Sequence, residues 1–378
     1  HGFTENTNFL EVKRPELELL NKNNLPLVTE TSTLKLQIKL SETATKIHIY
    51  ANGVPILKKP VSNQILEETI KLHSGENAVT IVALNDNDVE SNPETFTVTH
   101  ANQDTDYSVH YIGIGVSEYQ DSTMNLRYAD KDVRSLTTFF RAKYKDQVVI
   151  DTLTNQMVTK KSIKELKEKL KKTTINDIVV VSFSGHGLVD DDFNFYFATH
   201  DIDFNNPKPN GLSYQDIQDL LSDIPARRKL LLLDACHSGE LDETETLQKT
   251  KLTNENVSEF TPKGSIGIES KNSKQGLKTS FELMQSLFYD LDRGNGAYVI
   301  SAAGGKEFAY ESDDWKNGVF TYSFINGMYD LSYDTWKGKQ QVPISKLKDY
   351  IYNSVKTLTS GQQKPTSRSE NFEWDWSF

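Results

Sequence analysis

The sequence predicts a small β-sandwich followed by an α/β domain, a three-layer α/β/α sandwich with a mostly parallel sheet. Three observations predict it. The first hundred or so residues alternate apolar and polar side chains with a period of two, the mark of half-buried strands. Beyond them, apolar runs of strand length alternate with stretches of helical periodicity, which implies strands buried on both faces and helices covering them. Two of the apolar runs, Val179-Val180-Val181 and Leu231-Leu232-Leu233, lead into short segments that carry a histidine and a cysteine beside glycine.

The sandwich is read over residues 1–104. Leu34, Leu36, Ile38 and Leu40 alternate with Lys35, Gln37 and Lys39, and Ile47 and Ile49 continue the pattern. Asn52-Gly53 is a hairpin-turn signal. Ile65 to Leu72, Ala78 to Leu84 and Thr95 to Thr99 supply further short strands. This part resembles the immunoglobulin-like modules often attached to bacterial enzymes. Its His48, His73 and His100 are expected at the surface and not as metal ligands.

Ala101 to Asp106 is a polar linker, and the second domain runs over 107–378. Strands are expected at Val109 to Val116, Val148 to Leu153, Ile178 to Phe183, Leu230 to Leu233 and Tyr298 to Ala302. Phe193, Phe195 and Phe197 alternate in a hairpin arm. Helices are expected from Ala129 to Phe140, from a Thr159 cap to Lys172 and from a Ser213 cap to Leu221. Two more start near Phe320 and Ile344, and the aromatic C-terminus, Phe372 to Phe378, reads as a strand laid on the protein.

In open parallel sheets ligands bind beyond the carboxyl ends of the strands. Ser184-Gly185-His186-Gly187 and Asp234-Ala235-Cys236-His237-Ser238-Gly239 both fall there, with Cys236 the only cysteine of the chain. A thiol at its ordinary pKa is mostly protonated at neutral pH, and the thiolate is the nucleophile. A neighbouring imidazole takes that proton and later returns one to a leaving amine. His186 and Cys236 are therefore the candidate catalytic pair. His237, next to the thiol, reads as a supporting residue.

These motifs resemble those of the caspase-like clan of cysteine peptidases, in which a histidine precedes the cysteine by about 50 residues. Intact Ser-Gly-His-Gly and Asp-x-Cys-His-Ser-Gly are closest to the bacterial orthocaspase and metacaspase branch. Leu126-Arg127-Tyr128-Ala129-Asp130, Ser301-Ala302-Ala303 and Gly318-Val319-Phe320-Thr321 add to the likeness, which runs from about Tyr107 to the C-terminus. The resemblance implies the caspase-like α/β/α fold and a thiol endopeptidase. It further implies an oxyanion hole from the N–H groups of Gly187 and Cys236. An acidic S1 pocket of Asp130, Asp234 and Ser184, with Asp132 near Asp130, would take Arg or Lys. Ser301 would line the cleft.

By the same resemblance, residues 240–279 correspond to a flexible linker between large and small subunits, cut in zymogen maturation. Lys249, Lys251, Lys263, Lys271, Lys274 and Lys278 are its candidate self-cleavage sites. Calcium dependence occurs in metacaspases, but Asp190-Asp191-Asp192 lacks the turn glycine and alternating ligands of a calcium loop and reads as a solvated acidic loop. No cofactor is expected, and no metal ligand is assigned. The alternative functions are a catalytically silent scaffold or binding module, and an Asp-directed peptidase.

The formal charge of −11 argues against nucleic acid or anionic membranes as main partners and favours basic substrates. No apolar run approaches the ~20 residues of a membrane span, and no signal peptide is visible. One cysteine excludes an intrachain disulfide framework and fits a reducing compartment, so a cytoplasmic location is expected. A start at His1 suggests a fragment or a processed form.

Overall fold

The computed structural model describes residues 13–102, 106–190, 192, 194–237, 252–254, 257–262, 295–302, 309–334, 338–339, 341–369 and 374–378. The chain divides into two compact units, His1–Thr105 and Asp106–Phe378.

The described residues of the first unit form eight strands: β1 (Leu17–Leu19), β2 (Val28–Thr29), β3 (Thr33–Leu40), β4 (Lys46–Ala51), β5 (Val54–Pro60), β6 (Ile65–Lys71), β7 (Gly75–Leu84) and β8 (Glu94–His100). They form a sheet of order β1-β3-β6 and another of order β2-β8-β7-β4-β5. Leu36 and Ile38 of β3, Ile47 and Ile49 of β4, Ile81 of β7 and Val98 of β8 share one buried cluster, so the alternation buries one face of each sheet against the other. Asn52 and Gly53 both take positive φ, 50° and 73°, as the turn between β4 and β5 requires.

Two histidines of this unit depart from the expected surface position: His73 is 8% and His100 6% exposed. His73 sits in the turn between β6 and β7. Its backbone N–H donates to Asn77 Oδ1 at 3.0 Å and its carbonyl accepts from Asn77 Nδ2 at 2.9 Å. Its ring lies against Ser74 O and Asn52 Nδ2, both at 2.5 Å. A turn closed by side-chain amides draws the ring inward, where a period-two reading carries no information.

The second unit alternates strand and helix through β9 (Val109–Gly115), α1 (Ala129–Tyr144), β10 (Val148–Thr154), α2 (Lys160–Leu170) and β11 (Ile178–Val189). It continues with β12 (Phe195–Phe197), β13 (Leu212–Ser213), α3 (Tyr214–Leu221), β14 (Arg228–His237), β15 (Leu252–Asn254), β16 (Val257–Pro262), β17 (Tyr298–Ser301), β18 (Tyr310–Ser312) and β19 (Asn317–Gly318). It closes with α4 (Val319–Ser332), β20 (Tyr333–Asp334), β21 (Gly338–Lys339), α5 (Ile344–Leu358) and β22 (Thr366–Ser369).

The main sheet has the path β10-β9-β11-β14-β17-β22, parallel except for β22, with β12 and β13 added antiparallel off the end of β11. Odd residues Val179, Val181 and Phe183 pack with α2 and α3 through Ile163, Leu166, Ile217 and Leu220. Val180, Leu230 and Leu232 pack on the other face with Phe140 of α1, Phe324 of α4 and Ile351 of α5. Three layers follow from that division. The expected caps are present: Thr159 Oγ1 accepts from Ser162 N, and Ser213 Oγ from Asp216 N, each completing a capping box. Trp376 and Phe378 are buried, and Ser377 bridges to Pro343. Among the described residues no helix is long and apolar enough to cross a membrane.

Asp177 ties the lower ends of β9 and β11 together. Its carboxylate accepts from Ser108 N at 2.8 Å and Thr174 N at 2.6 Å, and stands 3.4 Å from His110 Nε2. Burial raises this carboxyl, but the bonds from His110, Thr174 and Ser108 outweigh it and hold it below the usual carboxylate range. Asp177→Asn is expected to cost about 1–3 kcal/mol in denaturant unfolding at neutral pH. A carboxyl with a depressed folded value stabilises above the unfolded value and stops doing so as pH falls through the folded one. The gap between native chain and variant therefore persists down to about pH 4 and closes in stronger acid.

Candidate active site

Four strands of the main sheet stop on nearly one level, and two do not. β9 ends at Gly115, opposite Ser184, and β17 ends at Ser301, opposite Leu233. β11 and β14 stay paired beyond them, through Gly185↔Ala235, His186↔Cys236 and Gly187↔His237. The expected strand exits are thus the last rungs of a longer ladder. β12 makes that possible: Gly187, Leu188 and Val189 pair with Phe197, Tyr196 and Phe195, continuing β11 where β9 has ended. The sequence places His186 and Cys236 on separate strands; the structure makes the strands adjacent and the two residues direct partners.

His186 is 1% exposed. Its Nε2 lies 2.8 Å from Met124 O, in a turn whose start is capped by the Asp121 side chain. A carbonyl only accepts, so Nε2 carries the hydrogen and the lone pair of the neutral ring is on Nδ1. The His186 backbone N–H donates to Tyr119 Oη at 3.0 Å. The Tyr119 ring lies 5.1 Å from the imidazole at 43°, and the Phe204 ring 5.6 Å away at 84°. Met124, Tyr119 and Phe204 escaped sequence reading because each is a lone apolar residue in a polar loop, where no period marks it. Gly187, proposed for the oxyanion hole, lies between Phe197 of β12 and His237 of β14.

Two rungs before the pair, Ser184 stands opposite Asp234. Both line a narrow pocket that also includes Asp132, Ser182, Leu232 and Thr321. Asp132 Oδ2 accepts from Ser184 Oγ at 2.9 Å, while Oδ1 accepts from Gly318 N at 2.8 Å and Asn317 Nδ2 at 3.1 Å. Gly318 lies between the two carboxylates: a β-carbon there would stand 2.5 Å from Asp234 Oδ2 and 3.2 Å from Asp132 Oδ2. The sequence had assigned Asp130 to this pocket, and the structure places it outside. Asp130 is partly exposed, accepts from Ser117 Oγ at 2.8 Å and pairs with Arg134 at 2.7 Å. Residues two apart on a helix face different ways, and Asp132 shares the inward stripe with Leu136.

β18 and β19 form a hairpin that carries Gly318 to the pocket. Its turn is held by Asp313, which takes a hydrogen bond from Tyr128 and pairs with Arg127 at 2.7 Å. The bond from Tyr128, then that from Arg127, holds the Asp313 carboxyl below its usual range. Of residues 240–279, those described are β15 and β16, and β16 pairs antiparallel with β18 through Phe260↔Ser312, Thr261↔Glu311 and Pro262↔Tyr310. All six candidate self-cleavage lysines lie outside the described residues. Ser301, expected in the cleft, is buried at the end of β17. In the acidic loop, Asp190 Oδ1 accepts from Asp192 N at 3.0 Å and Asn194 N at 2.8 Å, while Asp191 lies outside the described residues. Among the described residues no three His, Cys, Asp or Glu side chains converge as a metal cage.

A family model described as Caspase domain matches residues 112–373. Among solved structures, protein GSU0716 from Geobacter sulfurreducens is 15% identical over 69% of this chain and 93% of its own, with a TM-score of 0.45. Caspase-1 from Spodoptera frugiperda is 10% identical over 70% of this chain and 88% of its own, with a TM-score of 0.40. The fibronectin(III)-like modules of Clostridium thermocellum CbhA are 17% identical over 23% of this chain and 46% of theirs, with a TM-score of 0.20. No curated protein sequence matches the chain.

Because Gly318 has room for a hydrogen only, Gly318→Ala must displace a carboxylate or the hairpin. The expected cost is about 1–3 kcal/mol, read as a lowered denaturation midpoint with an unchanged denaturant slope.

Proposed function

The chain belongs to the caspase-domain family, and from that premise we propose that it is a cysteine endopeptidase cutting after Arg or Lys, with Cys236 as nucleophile and His186 as general base and acid. The observation that carries the reading is the direct pairing of these two residues, with Met124 O fixing the tautomer of the imidazole. In the proposed steps, Nδ1 of His186 takes the thiol proton and the thiolate attacks the scissile carbonyl carbon. The N–H groups of Gly187 and Cys236 receive the developing oxyanion. Collapse breaks the C–N bond, His186 protonates the departing amine, and water hydrolyses the thioester by the reverse proton traffic.

The pocket supplies the preference. Asp132 and Asp234, 1% and 3% exposed, converge around Gly318 beside Ser184. Two carboxylates this deep and this close repel one another, and a substrate guanidinium or ammonium would offset that repulsion. An aspartate side chain in the same place would add a third anion, which is why cleavage after Asp is disfavoured. Ser184, bonded to Asp132, orients that carboxylate toward the pocket.

A fluorogenic peptide with Arg or Lys before the reporter is expected to be cut by the native chain and left intact by Cys236→Ala. Asp234→Asn should lower kcat/KM by about 10–100-fold, the worth of one charge-assisted hydrogen bond. Asp130→Asn should leave the preference for basic residues unchanged. Turnover of Asp reporters in preference to basic ones would defeat the assignment.

Self-processing between 240 and 279 belongs to the same proposal. On incubation the native chain is expected to yield two fragments, joined at one of the lysines of that stretch, while Cys236→Ala stays whole. Mass measurement of both samples in parallel decides it, and identical intact masses refute the self-processing.

A further inference from the structure

The edge of β11 that faces β9 is completed by three different groups in succession. Up to Ser184 it is β9 itself, whose continuation Val116 still donates to Ser184 O at 3.0 Å. From the carbonyl of His186 onward it is β12, since Ala198 N donates to His186 O at 2.9 Å. Between them one backbone N–H remains to be met, that of His186, and its acceptor is Tyr119 Oη at 3.0 Å. A side-chain hydroxyl thus fills the rung that neither strand supplies. It falls at the residue on which the proposed chemistry turns.

Two further contacts make this more than a buried hydrogen bond. The ring that carries the hydroxyl lies 5.1 Å from the imidazole, and Phe204 packs on both rings, 5.4 Å from Tyr119 and 5.6 Å from His186. The approach is close at Gly185, where a β-carbon would stand 3.2 Å from Tyr119 Oη. Tyr119 is itself anchored, its N–H donating to Asn125 Oδ1 at 2.8 Å.

We infer that Tyr119 is the positioning residue of His186: its hydroxyl fixes the histidine backbone at the break between β9 and β12, and its ring, with Phe204, fixes the plane of the imidazole. The inference rests on His186 being the general base. Tyr119 touches no reacting atom. It acts by limiting where Nδ1 stands when Nε2 is held by Met124 O, and small errors of that kind act on the chemical step more than on binding.

The test uses the full chain and a basic fluorogenic peptide. Tyr119→Phe removes one oxygen and keeps the ring; kcat should fall about tenfold, the worth of one buried hydrogen bond, with KM within about twofold. Tyr119→Leu removes the ring as well and should lose about a hundredfold in kcat. Phe204→Leu disturbs only the ring packing and should lower kcat several-fold at constant KM, so it serves if Tyr119→Phe does not fold. If His186→Ala abolishes turnover while Tyr119→Phe and Phe204→Leu keep kcat within twofold, the inference is overturned and the peptidase reading stands. If these two variants raise KM as much as they lower kcat, with a lowered melting temperature, Tyr119 is merely structural and the inference is again overturned. If the native chain shows no turnover, or His186→Ala retains it, the peptidase reading falls and takes the inference with it.

Discussion

Two parallel strands outrun their neighbours, and the candidate site depends on that overhang. A lone pair of strands past the edge of a sheet leaves backbone groups without strand partners on its outer sides, which is costly when they are buried. Here one side of β11 is made good by Tyr119 and β12. The reward for completing the overhang is rigidity. A histidine on a paired rung is held by the ladder itself, where one on a loop would wander, and positioned groups on strands are more exactly placed than groups on loops. Because Ser184↔Asp234 and His186↔Cys236 are rungs of the same parity, the ladder that pairs His186 with Cys236 also sets one wall of the pocket.

The pocket adds an electrostatic constraint. Three donors, Ser184 Oγ, Asn317 Nδ2 and the Gly318 N–H, converge on the two oxygens of Asp132. Those donors come from β11 and from the hairpin before α4, so the carboxylate joins elements from both ends of the domain. Tyr128 and Arg127, at the entry to α1, hold the same hairpin from outside through Asp313. The flanking motifs, Leu126 to Asp130 and Gly318 to Thr321, are the two sides of one junction.

Much of this was legible in the sequence, for identifiable reasons. Strands buried on both faces announce themselves as apolar runs, and the caps at Thr159 and Ser213 sit where side-chain oxygens must meet helix N–H groups. The glycines around His186 and Asp234-Ala235 concealed the overhang, since Ser-Gly-His-Gly reads as a turn until β12 is known to pair with it. The neighbours of Gly185 are the Tyr119 hydroxyl and the Phe183 ring. The exchange of Asp130 for Asp132 was within reach of helical periodicity, which puts Asp132 with Leu136 and Asp130 with the exposed Arg134. Tyr119, Met124 and Phe204 were not within reach, because contacts made by single loop residues leave no periodic trace. The buried His73 eluded the reading for the same reason.

The bonds between Asp132 and Asn317 and Gly318 join residues 185 and 186 positions apart, whereas His186 and Cys236 are separated by only 50. Short closures form early and distant ones late. During synthesis, a chain extended just past β14 already holds His186 and Cys236 on adjacent strands, while the pocket lined by Asp132 and Asp234 still lacks Gly318 and Thr321. The paired rungs and the pocket beside them thus mature at different times, the ladder before the cavity.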